Sequence, residues 1–420
     1  MRAIRCIALF ALFFGIVSAT TGATVAAGGT TYYLDDLGGS DSNLGTSPST
    51  AWKSLARANA SVLQSGDRLL LRRGGVWQGS LKLAESGTAL AAITVDAYGS
   101  GPFPLIHGAG TCVSIPGSYV AVQSLHADDC SWAGFQIAGS NDRLDGIVSS
   151  NNVAGVQVKG GATNNAVLHS NLYDNNKMGT LTPTPTDDDS GAFGVLLNGD
   201  RTEVAYNRIS GSDAFSYDYG RDGSAVEVYG GQWNNVHDNL SIDNQAFAEL
   251  GNFRSSDNTV AQNVVVSSLA TSMFLITRGA KSHWGPVYGT RAIANTVLLT
   301  GASSQGFSCG DGCSSKVLTM RDNIIQAVAV VGYADARFDE AYDLFWGGDR
   351  RFKVDRTSRI GDPRFVDPGA ADLHLQASSP AVDAAVDVGL TVDFDGLPIP
   401  IDGNGDGRAA PDIGAYEYAQ

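Results

Sequence analysis

The sequence predicts an all-β solenoid, one stack of coils sharing a single core. Two observations predict it. The first is a repeated corner: Leu168-x-x-Asn171, Val204-x-x-Asn207, Val236-x-x-Asn239 and Val260-x-x-Asn263 share one pattern, with asparagines 36, 32 and 24 residues apart. A constant core pattern at irregular spacing is what coils with loops of variable length produce. The second is a series of short strands: Phe135-Gln136-Ile137, Val156-Gln157-Val158, Val195-Leu196-Leu197, Val226-Glu227-Val228, Ala248-Glu249-Leu250 and Phe274-Leu275-Ile276. Strand alternation sends the flanking apolar residues into the core and the middle residue to the outer face. Few long amphipathic helical stretches interrupt the pattern, so alternating βαβ units fit poorly.

Taken in order, the chain opens with Arg2 and Arg5 ahead of an apolar run from Cys6 to Val17. Small residues follow at Val17-Ser18-Ala19 and at Val25-Ala26-Ala27. This pattern predicts a secretory leader over residues 1–27, cleaved near 19 or 27, and too short to span a bilayer. The expected location is outside the cytoplasm, extracellular or periplasmic. Residues 28–111 are expected to form the N-terminal cap and first coils, with a short helix between Thr50 and Val62. Residues 112–357 carry the coils. Residues 358–420, richer in Asp, Pro and Gly, form a C-terminal cap. Solenoids need caps because a bare terminal coil exposes its core and its strand edge.

Loss of the leader removes Cys6 from the five cysteines and leaves Cys112, Cys130, Cys309 and Cys313. An even number in an exported chain reads as disulfides. Cys309-Gly-Asp-Gly-Cys313 can close a tight loop, which would leave Cys112 with Cys130, although four cysteines allow three pairings. The formal charge of −15 becomes −17 without Arg2 and Arg5. That balance argues against nucleic acid and anionic membrane as partners, and disfavours unaided binding of a polyanionic sugar. The sequence carries no marker of oligomeric state.

Both ends of the chain are similar to a known superfamily. Tyr33-Leu34-Asp35, Ala51-Trp52-Lys53-Ser54-Leu55-Ala56-Arg57-Ala58-Asn59 and Ser65-Gly66-Asp67 resemble the opening of secreted right-handed parallel β-helix proteins, the pectate-lyase-like superfamily. Asp362-Pro363-Arg364-Phe365, Ser379-Pro380-Ala381-Val382-Asp383 and Asp412-Ile413-Gly414-Ala415-Tyr416-Glu417 resemble its C-terminal segment. The resemblance implies the fold over nearly the whole mature chain. It leaves the chemistry open among lyases, hydrolases, epimerases and non-catalytic sugar-binding or adhesion proteins.

The outward column is the best lead to chemistry. It reads Gln136, Gln157, Leu196, Glu227, Glu249, Leu275, so two glutamates fall on consecutive coils. Close carboxylates repel, and one then tends to keep its proton. A protonated acid beside an ionised carboxylate is what glycoside hydrolysis requires. Two insertions precede the strands of this column. Lys177–Ser190 contains Asp187-Asp188-Asp189, and Asp213–Gly223 contains Tyr219 and Asp222. Asp222 is therefore a third catalytic candidate, and Tyr219, Tyr229 and Trp233 are candidate sugar platforms. A polysaccharide is the expected substrate.

Calcium is the expected alternative cofactor, because adjacent carboxylates suit a hard cation. Glu249, Arg254-Ser255-Ser256 and Arg278-Gly279 resemble segments of calcium-assisted uronate lyases, which implies substrate contacts by Arg254 and Arg278. Two positions depart from those segments. Arg254 stands where a lysine base is expected, and Ala280 where a histidine is expected, with Lys281 and His283 nearby. A structural calcium loop is the second metal candidate, from Asp402, Asn404 and Asp406 with Gly407 after them. The twelfth loop position is Ile413 instead of glutamate, so Asp412 is the expected further ligand.

Overall fold

A computed structural model describes residues 28–184 and 186–419; the expected leader lies outside the described residues. The chain winds as a right-handed parallel β-helix of three parallel ladders, one of them a 12-stranded sheet that starts at Thr31–Leu34 and ends at Asp339–Ala341. A second ladder begins at Val76–Gln78 and reaches Leu344–Arg351. The third contains Thr111–Ile115, Ala133–Ile137, Ala154–Val158, Phe193–Leu197, Ser224–Tyr229, Ala246–Gly251, Met273–Arg278 and Gln305–Gly310.

Alternation sets the core as the sequence predicts. Val156, Val195, Val226 and Ala248 stack inside the third ladder, each at most 1% exposed. One coil departs from the expected phase. Leu275 is fully buried opposite Ala248, and Ile276 takes the outward place opposite Glu249. The strand Met273–Arg278 is apolar on both faces through this stretch, so alternation could not phase it.

Asparagine stacks hold the corners. Asn207, Asn239, Asn263, Asn295 and Asn323 pass hydrogen bonds of 2.7–3.1 Å from backbone N–H and Nδ2 to the Oδ1 of the next rung, and Asp343 ends the row. Ser170, not Asn171, is the rung before Asn207, because Leu168 pairs with Ala205 rather than Val204. The residue just before each of these rungs has positive φ, at His169, Tyr206, Asp238, Gln262, Ala294, Asp322 and Tyr342. A left-handed residue at each corner turns the chain from one face to the next.

The helix near the N-terminus is shorter than expected, Leu55–Asn59, with Ser54 accepting the Arg57 N–H at 3.1 Å. Trp52, four residues earlier than Ala56, is extended and bridges Leu34, which is why the helix cannot begin at Thr50. Trp52 and Leu55 cover the first coil from inside one continuous core.

The C-terminal segment does not close the far end. It packs sideways: Phe365, Leu373, Leu375, Ile413 and Ala415 bury against Val264, Leu298, Ile324 and Leu344, all on the outer face of the second ladder. Those apolar outward residues on successive coils are what draw the segment to the flank. The far end is covered by Phe338 and Phe352, both edge-on to Phe307, with Phe352 also edge-on to Phe345. A cavity of about 240 Å³ lies there, lined by Arg337, Phe338, Glu340, Lys353 and Asp355. The cysteines pair as the loop spacing favours: Cys112–Cys130 and Cys309–Cys313 are disulfides, and Gly312 takes φ 93° in the tight loop. Among the described residues no helix is long and apolar enough to cross a membrane.

Candidate active site

Glu227 and Glu249 are direct partners on adjacent parallel strands of the third ladder. Inward Val226 and Val228 fix the phase of the first, and Ala248 and Leu250 that of the second; these four residues are 0–2% exposed. The outward column therefore places both carboxylates on one face, with strands about 4.8 Å apart. Ser224 Oγ donates to Glu227 Oε2 at 3.2 Å. Arg278, at the end of the next strand, donates to Glu249 Oε1 through Nη2 and to the Leu250 carbonyl through Nη1 at 3.0 Å. Sequence reasoning placed Arg278 on substrate; the structure places it on Glu249.

Asp222 reaches the pair from the side. The insertion Asp213–Gly223 folds into a hairpin of Ala214–Ser216 against Gly220–Asp222, and Asp222 is its last strand residue before Ser224. Burial pushes its carboxyl up to about 7, with Glu249 adding to the rise. Glu227 is half-buried by accessible surface, yet the protein packed around it penalises its charge enough to hold its pKa well above the ordinary range. Burial is the main cause, followed by the charge of Glu249; Arg278 opposes the rise and Asp222 adds to it. The site thus gathers one carboxyl that favours the protonated form, Glu227, a second raised to about 7, Asp222, and a third, Glu249, bonded to a guanidinium.

The other insertion forms the neighbouring part of the wall. Met178–Thr180 pairs with Ser190–Gly191, and the two hairpins lock together through their aspartates. Asp189 accepts the N–H of Tyr217 at 2.7 Å and of Asp218 at 3.2 Å, while Asp218 accepts those of Asp188 at 2.8 Å and Asp189 at 2.9 Å. Backbone donors, the Asp189 N–H first among them, lower the pKa of Asp218; in Asp189 burial raises the pKa, but the Thr182 N–H and Ser216 hydroxyl together with the Asp218 and Tyr217 N–H groups bring it below its ordinary value. Tyr219 Oη donates to Asp187 Oδ1 at 2.5 Å; burial and this bond raise its pKa.

Two residues beyond Glu227, at the end of the same strand, Tyr229 is 38% exposed, with its ring 6.1 Å from that of Trp284. Trp284 was not singled out from the sequence. Its only signal was a large ring in the Gly- and Ser-containing loop after Arg278. His283 stacks on Trp284 at 4.7 Å, edge to face.

Two expected substrate residues are engaged elsewhere. Arg254 forms a bidentate pair with Asp200, at 3.0 and 2.6 Å, and also donates to the Gly230 carbonyl. Trp233 sits at the corner leading into the first ladder and stacks on the Arg201 guanidinium at 4.3 Å. Both brace corners of the solenoid.

The expected calcium ligands accept backbone N–H groups. Asp402 accepts the N–H groups of Gly405, Asp406 and Gly407, and Asn404 accepts that of Asp406. Asp412 is turned into the C-terminal segment, accepting the N–H of Asp383 and of Tyr418, both at 2.6 Å. Among the described residues, the acidic group whose oxygens lie within 4.8 Å of one another is Asp188, Asp189 and Asp218, and neither Asp402, Asp406 and Asp412 nor Asp222, Glu227 and Glu249 forms such a set.

Fold and site together define a parallel β-helix with three carboxyl groups gathered on the outer face of its third ladder. No protein-family model matches the chain. A stretch of 89 residues, 20% of the chain, is 44% identical to 6% of a lacto-N-biosidase from Bifidobacterium longum subsp. longum. A stretch of 72 residues, 17% of the chain, is 40% identical to 12% of alpha-1,3-galactosidase A from Akkermansia muciniphila. The chain thus matches only a small part of the length of these relatives. Among solved structures, pectate lyase Pel9A superposes with a TM-score of 0.63 at 15% identity, over 93% of this chain and 96% of that one. A lacto-N-biosidase from Eubacterium ramulus superposes with a TM-score of 0.55 at 15% identity, over 79% and 67%. At that identity the structural likenesses establish the fold.

Proposed function

We propose that this protein is an exported glycoside hydrolase that cuts a polysaccharide in the groove of its third ladder. The observation that carries the reading is the register of Glu227 opposite Glu249, with the proton favoured on the first and Arg278 bonded to the second. Glu227 acts as general acid and Glu249 as nucleophile. The Glu227 proton passes to the glycosidic oxygen as the bond from that oxygen to the anomeric carbon breaks. The Glu249 carboxylate takes the vacated position. Water then attacks the glycosyl ester while the Glu227 carboxylate accepts its proton, which restores both groups. Carboxyls on adjacent strands suit this retaining route, in which the pair stands roughly 5–5.5 Å apart. Asp222 contributes its field, which favours the protonated form of Glu227.

The relatives whose names describe glycosidases support this reading, and the two disulfides fit an exported chain. A calcium-assisted lyase or epimerase is the alternative. It has less support, because Arg254 is committed to Asp200 and is a poor base in any case. A polysaccharide panel read for new reducing ends and for ultraviolet absorbance tests the proposal. Reducing ends without absorbance, lost in Glu227→Gln and in Glu249→Gln, are expected. An absorbing, unsaturated product that disappears with chelator would replace the hydrolase with a lyase.

A further inference from the structure

Resting on the hydrolase reading of the same groove, we infer that its substrate is an uncharged glycan and that uronate polymers are excluded. The charges around the groove carry the inference. From Ser114 to Tyr333 the outward column of the third ladder contains no lysine or arginine. Its polar members besides the glutamates are amides and hydroxyls such as Gln136, Gln157 and Ser308, suited to sugar hydroxyl groups. Lys82 and Arg351 end the column. They stand five coils from Glu227 and four from Glu249, or about 24 and 19 Å at the strand spacing.

Three arginines at the margins are already matched. Arg278 bonds to Glu249, Arg221 to Asp213 and Arg254 to Asp200. Lys281, in the loop beside Trp284, lies in the field of Asp335. A uronate carboxylate bound over the glutamates would meet three carboxyl groups and no lysine or arginine from the column between Ser114 and Tyr333. Burying it unpaired costs several kcal/mol, since neither water nor a counter-charge replaces its hydration. The aromatic rings of Tyr229 and Trp284, by contrast, ask only for the apolar face of a sugar ring.

The test separates this inference from the hydrolase reading by measuring binding in a protein that cannot turn over. Glu227→Gln full-length protein is run in native gels containing either neutral polymers (β-glucan, xyloglucan, arabinogalactan, galactomannan) or polygalacturonate and alginate. Retardation by at least one neutral polymer and by neither uronate is expected, at 20 mM and at 500 mM salt alike. The high-salt arm matters because screening removes long-range repulsion by the whole acidic chain but leaves a missing local partner missing. Ser308→Lys, which places a cation two coils from Glu249, is expected to add measurable retardation by polygalacturonate. Retardation of the Glu227→Gln protein by a uronate, or by no neutral polymer, overturns the inference. Loss of turnover in the unmodified protein with neutral binding intact would instead overturn the hydrolase reading and leave this one standing.

Discussion

Glu227 and Glu249 face one another across adjacent parallel strands, yet the guanidinium between the coils bonds to Glu249 alone. That asymmetry distinguishes two chemically identical side chains. Replacing either by glutamine keeps size and removes charge. Each change is expected to lower kcat/KM about 10²–10⁴-fold, the range for a positioned acid or base. Glu227→Gln should also hold or raise the melting temperature at pH 7.5, because it removes a charge that the folded protein disfavours. A variant that lost activity together with cooperative melting would mark Glu227 as structural.

The pH profile follows from the same neighbours. The acid works only while protonated, so kcat/KM should fall as pH rises through the pKa of Glu227 in the free protein. Asp222 raises that pKa by its charge. Asp222→Asn is therefore expected to move the alkaline limb to lower pH, and Asp222 itself, at about 7, contributes to the limb in the unmodified protein. An unchanged limb in Asp222→Asn would remove Asp222 from the site.

The glutamate pair was legible in the sequence because its strands alternate cleanly between apolar and polar residues. Val226-Glu227-Val228 and Ala248-Glu249-Leu250 leave one choice of phase. Phe274-Leu275-Ile276 leaves two, and there the expected phase was wrong by one residue. Asp222 was legible only as a residue near the right strand; its approach depends on a hairpin closed by Asp189 and Asp218, a contact between two insertions that no local pattern encodes. Arg254 and Trp233 were misplaced for a related reason. Their types suit sugar binding, but Asp200 comes from two coils before Arg254 and Arg201 from the coil before Trp233, and sequence spacing did not reveal those pairings. The sideways C-terminal segment was hidden because its docking face consists of outward apolar residues, which read as ordinary strand positions.

Asn239 should carry more stability than its single side chain suggests. Its Oδ1 accepts both the N–H and the Nδ2 of Asn207, at 3.1 and 2.9 Å, and its Nδ2 donates to the Val204 and His237 carbonyls. Alanine there leaves several buried groups without partners, each worth about 1–3 kcal/mol. A loss of roughly 3 kcal/mol or more by chemical denaturation is expected, against under about 0.5 kcal/mol for a surface change such as Asn404→Ala. Equal effects of the two would show that water replaces the rung.

Asp343 ends that same row and carries a carboxyl where the other rungs carry an amide. Its Oδ1 accepts the N–H and Nδ2 of Asn323 at 2.7 and 2.8 Å, while Oδ2 is buried with no partner. Asp142 and Asp322 show the same state, one oxygen bonded to a backbone N–H and the other alone, each 1% exposed. Burial raises Asp142 and Asp322 to about 7 and Asp343 well above its ordinary value. Groups raised in the folded state contribute stability below their unfolded pKa and lose it as pH rises through the folded one. The melting temperature is therefore expected to fall between pH 5 and pH 8, on the order of 5 °C, instead of reaching its maximum near neutrality. Asp343→Asn should restore the missing donor and remove one titrating group, so it should flatten the curve and raise the melting temperature at pH 8. A melting temperature that rises from pH 5 to pH 8, or an Asp343→Asn protein that melts lower at pH 8, would show that these carboxyls are charged in the folded protein.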